Sequence, residues 1–332
     1  MTYIKRLTIF FLMPVVLLLC LTAVPLQAEV LRDSTGFRYQ YISGRKYYRV
    51  YDIANYMRLR LYKRGSSYEL FGTRGRMVFT PDKRYGSFNG TVLNYDFVPT
   101  LRGGELYISS SDFFNHLQVL FLPVCLSPLG IRTILIDPGH GGVDIGASGV
   151  MSREKDLTLQ IALRLQRILN KMGYRVYVTR NTDRKIELVD RARAGNSIKA
   201  DLFISIHMNA AANRSVRGIE TFALTAPGAP SSGSSKVGYD KHPGNSALWN
   251  SYALAWNVQN QLVTKLNAAD RGVKQARFVV LRESRCPSIL IECGFISNRY
   301  DEKLLNDPKY QEKLALSIAW GIYNYHVSLR RR

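Results

Sequence analysis

The sequence predicts an α/β protein: a mostly parallel sheet with helices on both faces, preceded by a smaller α+β unit. Two observations predict the larger part. From Ile131 onward, short apolar runs alternate with helical spacings of apolar residues, which is the pattern of a sheet wrapped by helices. Runs such as Ile134-Leu135-Ile136 and Ile289-Leu290-Ile291 are continuous rather than alternating, as expected of strands covered on both faces. A third observation sets off the smaller part. Residues 29–127 are rich in Tyr, Arg and Gly and carry an internal echo.

The first 28 residues form a segment of their own. Lys5 and Arg6 precede an apolar run from Leu7 to Leu21, and a small residue, Ala28, closes the segment. This order of basic region, apolar region and cleavage site is that of a secretory signal peptide. The run falls short of the ~20 residues needed to cross a bilayer, and Pro25 interrupts the stretch after it. An exported protein is expected, placed in the periplasm or at the cell wall and beyond.

In residues 29–127, Tyr47-Tyr48-Arg49-Val50 and Tyr68-Glu69-Leu70-Phe71 read as strands, and Asn89-Gly90 as a turn. Tyr47 and Asp52-Ile53-Ala54-Asn55-Tyr56-Met57 recur 60 positions later as Tyr107 and Asp112-Phe113-Phe114-Asn115-His116-Leu117. Each copy reads as a strand, an Asp helix cap, one or two helical turns, then another strand at Leu59–Leu61 or Val119–Phe121. His116 stands by itself and reads as a polar helix residue, not a site. Leu126-Ser127-Pro128-Leu129-Gly130 reads as the linker to a second domain, residues 131–328.

In that second domain the first strand is Thr133–Ile136. Leu157, Ile161, Leu165, Ile168, Leu169 and Met172 recur at helical spacing, and Gly173 ends the helix. Val176–Val178 and Leu202–Ile206 are further strands. Leu248, Tyr252, Ala255, Val258, Leu262 and Leu266 mark a long helix, Ser288–Ile291 another strand, and Leu314 to Tyr325 a closing helix. The stretch from Ala226 to Asn245 is rich in Pro, Gly and Ser and reads as a mobile surface loop with an exposed His242.

The chain has 332 residues and a net charge of +21. This balance favours polyanionic surroundings such as wall polymers or an anionic membrane surface. Nucleic acid is excluded as a partner by the expected export and by the absence of any nucleic-acid-binding motif. Three cysteines come after residue 28: Cys125, Cys286 and Cys293. The last two are separated by roughly 23 Å if extended, too far to bridge, and no Cys/His spacing of a metal site exists. They read as structural thiols.

Four residues carry the chemistry. His140 comes after the first strand in Asp137-Pro138-Gly139-His140-Gly141-Gly142, and His207 after another in Ser205-Ile206-His207-Met208-Asn209. Open α/β sheets gather functional groups at such strand ends. Glu154 opens the amphipathic helix, and Glu292 ends the strand Ile289–Ile291. Two imidazoles and one carboxylate are the ligand set of a catalytic zinc site, and a further carboxylate serves as proton carrier. Singly, each has a plainer reading: a structural histidine, a carboxylate facing a helix dipole, a solvated strand end. No compact HExxH is present, so spacing leaves both readings open.

The order of motifs narrows the choice. Ile136-Asp137-Pro138-Gly139-His140-Gly141-Gly142 with Gly146-Ala147, Glu154-Lys155-Asp156-Leu157, Thr179-Arg180-Asn181-Thr182-Asp183 and Leu188-Val189-Asp190-Arg191 with Asn196 come first. Ala200 to Ala210, Arg271-Gly272-Val273-Lys274, Val279-Val280-Leu281-Arg282 and Pro287 to Asn298 come next. Residues 133 to about 325 thereby resemble the zinc-dependent N-acetylmuramoyl-L-alanine amidases of the amidase-3 type. The resemblance implies that His140, Glu154 and His207 ligate Zn²⁺, that Glu292 is catalytic, and that the substrate is peptidoglycan. The bond cut would be the amide between N-acetylmuramic acid and L-alanine. Other matched positions have plainer readings: Arg191 and Asn196 as braces of the fold, Asp137 as an organiser of its loop rather than a ligand, and Asn209 as lining the cleft or as structural. Some relatives carry a helical plug over the site; Ala226–Asn245 lacks the pattern for one. The duplicated unit before residue 128 resembles the N-terminal domain of copper amine oxidases, and a spacer or wall-docking role is expected of it.

Overall fold

The computed structural model describes residues 32–126 and 130–330. The expected signal segment and the middle of the expected linker lie outside these. The chain runs β1 (Tyr39–Ile42), β2 (Arg45–Arg49), α1 (Val50–Tyr56), then a meander of β3 (Arg60–Arg64), β4 (Ser67–Gly72), β5 (Gly75–Phe79), β6 (Tyr85–Phe88) and β7 (Thr91–Asn94). It continues with β8 (Thr100–Arg102), β9 (Glu105–Ser109), α2 (Ser110–Asp112), a π-turn over Phe113–Leu117 and α3 (Gln118–Phe121).

The internal echo is structural. A four-stranded sheet has the order β1-β2-β9-β8, and the two copies meet at its centre, where Tyr48 pairs with Ile108 in antiparallel β2 and β9. The echoed aspartates do the same work in each copy: Asp52 accepts the backbone N–H of Arg38 at 2.8 Å, and Asp112 those of Asp96 at 2.6 Å and Phe97 at 3.1 Å. Neither is the residue that begins its helix. Ser109 caps α2 through the N–H of Asp112, and Arg49 precedes α1 without a side-chain cap.

The second copy departs from expectation after its helix. Val119, Leu120 and Phe121 are helical and all three are buried. A strand would send Leu120 to the opposite face from its neighbours. The first copy's strand, β3, has β4 to pair with, whereas no hairpin comes after Phe121, so helical hydrogen bonds satisfy that backbone instead.

The second region runs β10 (Thr133–Pro138), α4 (Glu154–Lys171), β11 (Arg175–Val178), α5 (Leu188–Ser197), β12 (Leu202–Asn209), β13 (Ile219–Leu224), the short β14 (Ala229–Pro230) and β15 (Val237–Gly238), and α6 (Leu248–Leu266). Then come β16 (Asp270–Ala276), α7 (Val279–Glu283), β17 (Ser288–Phe295), α8 (Arg299–Leu305) and α9 (Pro308–Arg330). The main sheet has the order β11-β10-β12-β17-β13-β16-β7-β6-β5-β4-β3. It is parallel from β11 through β17, but β13 runs antiparallel to β17, so the sheet is mixed.

The sheet also crosses into the N-terminal region. Val273 of β16 pairs with Leu93 of β7, and Asp270 accepts the N–H of Val92 at 2.7 Å. Gly272 permits the approach: a Cβ there would lie 2.8 Å from the Val92 carbonyl oxygen. Aromatic packing seals the junction, with Trp256 of α6 against Phe88 at 5.2 Å between ring centres. His116, expected as a polar helix residue, is fully buried here, stacked on Tyr252 at 4.4 Å and flanked by Asp96 and Asp112.

Ala226–Asn245, expected as a mobile loop, is anchored. The Arg277 guanidinium donates to the carbonyls of Ala226, Ala229 and Gly238, and Arg84 to those of Pro230, Ser231 and Ser234. Ala229 is fully buried and His242 half-buried. These arginines lie far off in sequence, so local composition carried no sign of them. The segment holds two short strands and part of a 3₁₀ turn, and no plug helix. Cys286 and Cys293 are thiols, both pushed upward in pKa by burial, Cys286 to about 12.

Candidate metal centre

The C-terminal halves of β12 and β17 meet the start of the antiparallel β13. The two strands continue to Asn209 and Phe295, so His207 and Glu292 lie within them and not at or beyond their ends as the sequence suggested. His207 on β12 and Glu292 on β17 are register partners. Glu220 on β13 pairs with Glu292 from its other side. Register partners share a face of the sheet with Cβ atoms about 5 Å apart, so these three side chains form a row. Sequence reasoning passed over β13 because Glu220 and Thr221 interrupt its apolar residues.

His140 reaches the row from the loop after β10. It holds a left-handed backbone, φ 61°, uncommon for a residue with a side chain. The surroundings impose it. Arg191 donates to the carbonyls of Pro138 and His140 at 2.7 and 2.8 Å, and Arg180 to those of Pro138 and Gly139 at 3.1 and 2.8 Å. Asp137, wholly buried, accepts from Thr179, Arg191 and Ser205. The expected bracing by Arg191 and loop organisation by Asp137 are thus visible, and Asn196 ties α5 to the carbonyl of Glu283 and the N–H of Arg285. The glycines leave space for rings. A Cβ on Gly139 would stand 2.3 Å from His207 Cε1, and one on Gly146 would stand 2.5 Å from Glu154 Oε2 and 2.6 Å from His140 Cδ2.

Glu154 is the first residue of α4 and is almost fully buried. Its Oε2 lies 3.2 Å from His140 Nε2 and accepts the N–H of Ala147 at 2.8 Å; its Oε1 lies 2.9 Å from His207 Nδ1 and accepts the N–H of Met208 at 2.9 Å. His140, Glu154 and His207 each offer a ligand atom within 4.8 Å of the others. Burial disfavours the charged carboxylate of Glu154, yet the hydrogen bonds of the two histidines outweigh it and hold the group far below the usual carboxylate range. Burial likewise opposes charge on His140, but Glu154 and Asp144 raise its pKa on balance. Two imidazoles closing on one carboxylate occupy the geometry that a divalent cation would fill, and the donor set fits zinc.

Asp144 was not anticipated. Its Oδ1 lies 2.9 Å from His140 Nδ1, which leaves the other ring nitrogen for the centre. A carboxylate behind a ligating imidazole orients the ring and raises its basicity. The only sequence signal was an acid four residues after His140 inside the glycine loop.

Glu292 is half-buried, with Oε2 enclosed and without a hydrogen-bond partner. Burial, then the carboxylates of Glu154 and Glu220, push its pKa well above the ordinary range, with Lys274 opposing. An unpartnered carboxylate oxygen beside such a potential ligand set can take up a proton. Asn209 points away from that task, donating to Glu220 Oε1 at 2.8 Å.

A second cluster, Asp96, Asp112 and His116, also brings three potential ligands together. There the two ring nitrogens face different carboxylates, Nε2 to Asp96 at 3.6 Å and Nδ1 to Asp112 at 3.0 Å. That is the arrangement of a buried ion pair.

With this geometry in place, comparison with known proteins is decisive for ancestry. The sequence profile of N-acetylmuramoyl-L-alanine amidase matches residues 134–324, more than half of the chain. The chain belongs to this amidase family. It is 36% identical over 200 residues to the N-acetylmuramoyl-L-alanine amidase LytC of Bacillus subtilis (strain 168), covering 60% of this chain and 36% of that protein. It is 33% identical over 251 residues to the amidase AmiA of Escherichia coli (strain K12), covering 68% and 87% respectively. Among solved structures, an N-acetylmuramoyl-L-alanine amidase of Clostridium difficile 630 superposes with a TM-score of 0.51 at 38% identity, covering 59% of this chain and 97% of that one. The chain spans only about a third of the length of the Bacillus subtilis relative. All four residues singled out in the sequence fall within the matched amidase region.

Proposed function

We propose that this protein is a zinc-dependent N-acetylmuramoyl-L-alanine amidase, an exported enzyme that acts on peptidoglycan in the periplasm or cell wall. The observation that carries this reading is the convergence of His140, Glu154 and His207 within 4.8 Å, beside the unpartnered carboxylate of Glu292. His140, Glu154 and His207 would hold the ion, and Glu292 would be catalytic.

Zinc, when bound, lowers the pKa of water to about 7 and polarises a carbonyl oxygen. The chain's own residues supply the rest. Glu292 takes the proton of the attacking water and returns it to the leaving nitrogen of L-alanine, which completes hydrolysis with no further acid. Asp144 holds the His140 ring in one orientation, and Arg180 and Arg191 hold the loop that carries it. The catalytic unit would comprise residues 131–328. The duplicated unit at 29–127, similar in pattern to the N-terminal domain of copper amine oxidases, would dock the enzyme on anionic wall polymers or a membrane surface.

The test is one purified sample of the full chain, measured for zinc and incubated with isolated sacculi. Mass spectrometry should find released stem peptides that begin with L-alanine. Shortened stems still attached to sugar would identify a peptidase instead, and bound zinc without turnover a binding protein.

A further inference from the structure

The row of side chains does not end at Glu292. Glu220, its partner in the next strand, is buried, yet one of its oxygens receives two cations: Arg271 Nε at 3.0 Å and Lys274 Nζ at 2.5 Å. One cation suffices to neutralise one carboxylate, so Glu220, Arg271 and Lys274 together sum to one positive charge, set against the carboxylate of Glu292 in the adjoining strand. Both cations come from β16 and remain partly open to solvent, with side-chain exposures of 35% for Arg271 and 20% for Lys274.

Their donors are far from used up. A guanidinium has five N–H donors and an ammonium three, and each side chain gives one hydrogen bond, to Glu220. Their positions are nonetheless held. Arg271 lies over the ring of Phe295 at 4.9 Å and Lys274 over that of Phe222 at 5.8 Å. Asn209 fixes the other oxygen of Glu220 at 2.8 Å. Cations oriented in advance by a buried carboxylate and aromatic faces lose little freedom when an anion arrives.

We infer that Arg271 and Lys274, held by Glu220, form an anion subsite beside the catalytic carboxylate that takes a free carboxylate on the peptide half of the substrate. This rests on the amidase reading. In a muramyl peptide the group of that kind nearest the scissile amide is the α-carboxylate of the second stem residue, which bacteria leave free or convert to a carboxamide. A carboxylate pairs with both cations. A carboxamide brings no charge and offers one acceptor oxygen in place of two.

Two muramyl tripeptides that differ only in this carboxylate or carboxamide test the subsite on the zinc-loaded full chain. The expected kcat/KM ratio favours the carboxylate by about tenfold or more, mainly through KM, as charge-assisted hydrogen bonds allow, and it shrinks with added salt. Arg271→Met and Lys274→Met should each pull the ratio toward one, while Lys274→Arg keeps it. Each single variant leaves Glu220 one cation, and circular dichroism checks the fold. Calorimetric binding of the two released tripeptides to the wild-type chain repeats the comparison without turnover. Cleavage of both substrates at equal efficiency, or a ratio that survives in both methionine variants, overturns the subsite alone. Cleavage of neither by the wild-type chain overturns the amidase reading and this inference with it.

Discussion

His207 and Glu292 stand opposite each other on the neighbouring parallel strands β12 and β17. The pairing sets an imidazole of the candidate metal group next to a carboxylate whose Oε2 has no partner. Strand register therefore fixes the spacing between the two side chains proposed as metal ligand and proton carrier, a more rigid support than any loop.

The roles of these two residues separate in one pair of variants. Glu292→Ala should retain stoichiometric zinc and lose at least about a hundredfold in turnover, the usual contribution of a positioned acid–base group. His207→Ala should lose both. Metal analysis beside a dye-release assay on stained sacculi reads the two together, and zinc loss from Glu292→Ala would reassign it as a ligand.

Asp144 supports His140 through its second nitrogen. Replacing it with Ala should weaken zinc by about 10–100-fold while leaving the fold intact, as loss of an outer carboxylate does elsewhere. Competition with a chromophoric chelator measures this. An unchanged affinity would show that the Arg191 and Arg180 contacts suffice to orient the ring.

Gly139 has no room for a methyl group, because its Cβ would meet His207 at 2.3 Å. Gly139→Ala should displace that ring or its own loop, cost about 1–3 kcal/mol, and reduce zinc content. A zinc-replete variant with wild-type melting temperature would contradict the packing.

The junction should titrate. Burial opposes charge on His116, but Asp96 and Asp112 outweigh it and raise its pKa above the ordinary value, with Arg84 opposing. Tyr95 and Tyr252 face the same cluster with pKa values well above ordinary. The folded state thus binds this proton more tightly than the unfolded chain. Its stabilisation is complete below the unfolded imidazole pKa of about 6.5 and fades as pH rises through the folded value. Melting temperature should fall over that alkaline interval, and His116→Gln should flatten the slope. Parallel pH profiles for the two proteins would refute the assignment.

Deleting residues 29–127 should cost stability rather than merely detach a module. It strips β7 from β16 and bares Trp256, leaving an open sheet edge beside apolar surface. Low soluble yield or aggregation of residues 128–332 in light scattering is expected. A monodisperse fragment with the full-length melting temperature would show that the junction contributes little.

Much of the fold was legible in the chain alone. The strands at 133, 176, 202 and 288, the helices at 154, 248 and 308, and the duplicated unit declare themselves locally, because burial on one or two faces imprints a period on the chain. The motifs also pointed to His140, Glu154, His207 and Glu292, whose side chains the fold brings together. What local pattern could not carry was pairing. The antiparallel β13, the crossing from β16 to β7, the anchoring of Ala226–Asn245 by Arg84 and Arg277, and the helical end of the second repeat depend on partners distant in the chain.

By itself, then, the sequence determined which side chains could bind a metal and move a proton, since those capacities belong to residue types. Tertiary structure alone decided that two histidines close on one carboxylate, that Asp144 stands behind His140, and that Glu220 gathers two cations beside Glu292. The reason is physical: coordination, hydrogen bonding and charge pairing act over a few ångströms, and only the register of distant strands brings these groups within that range.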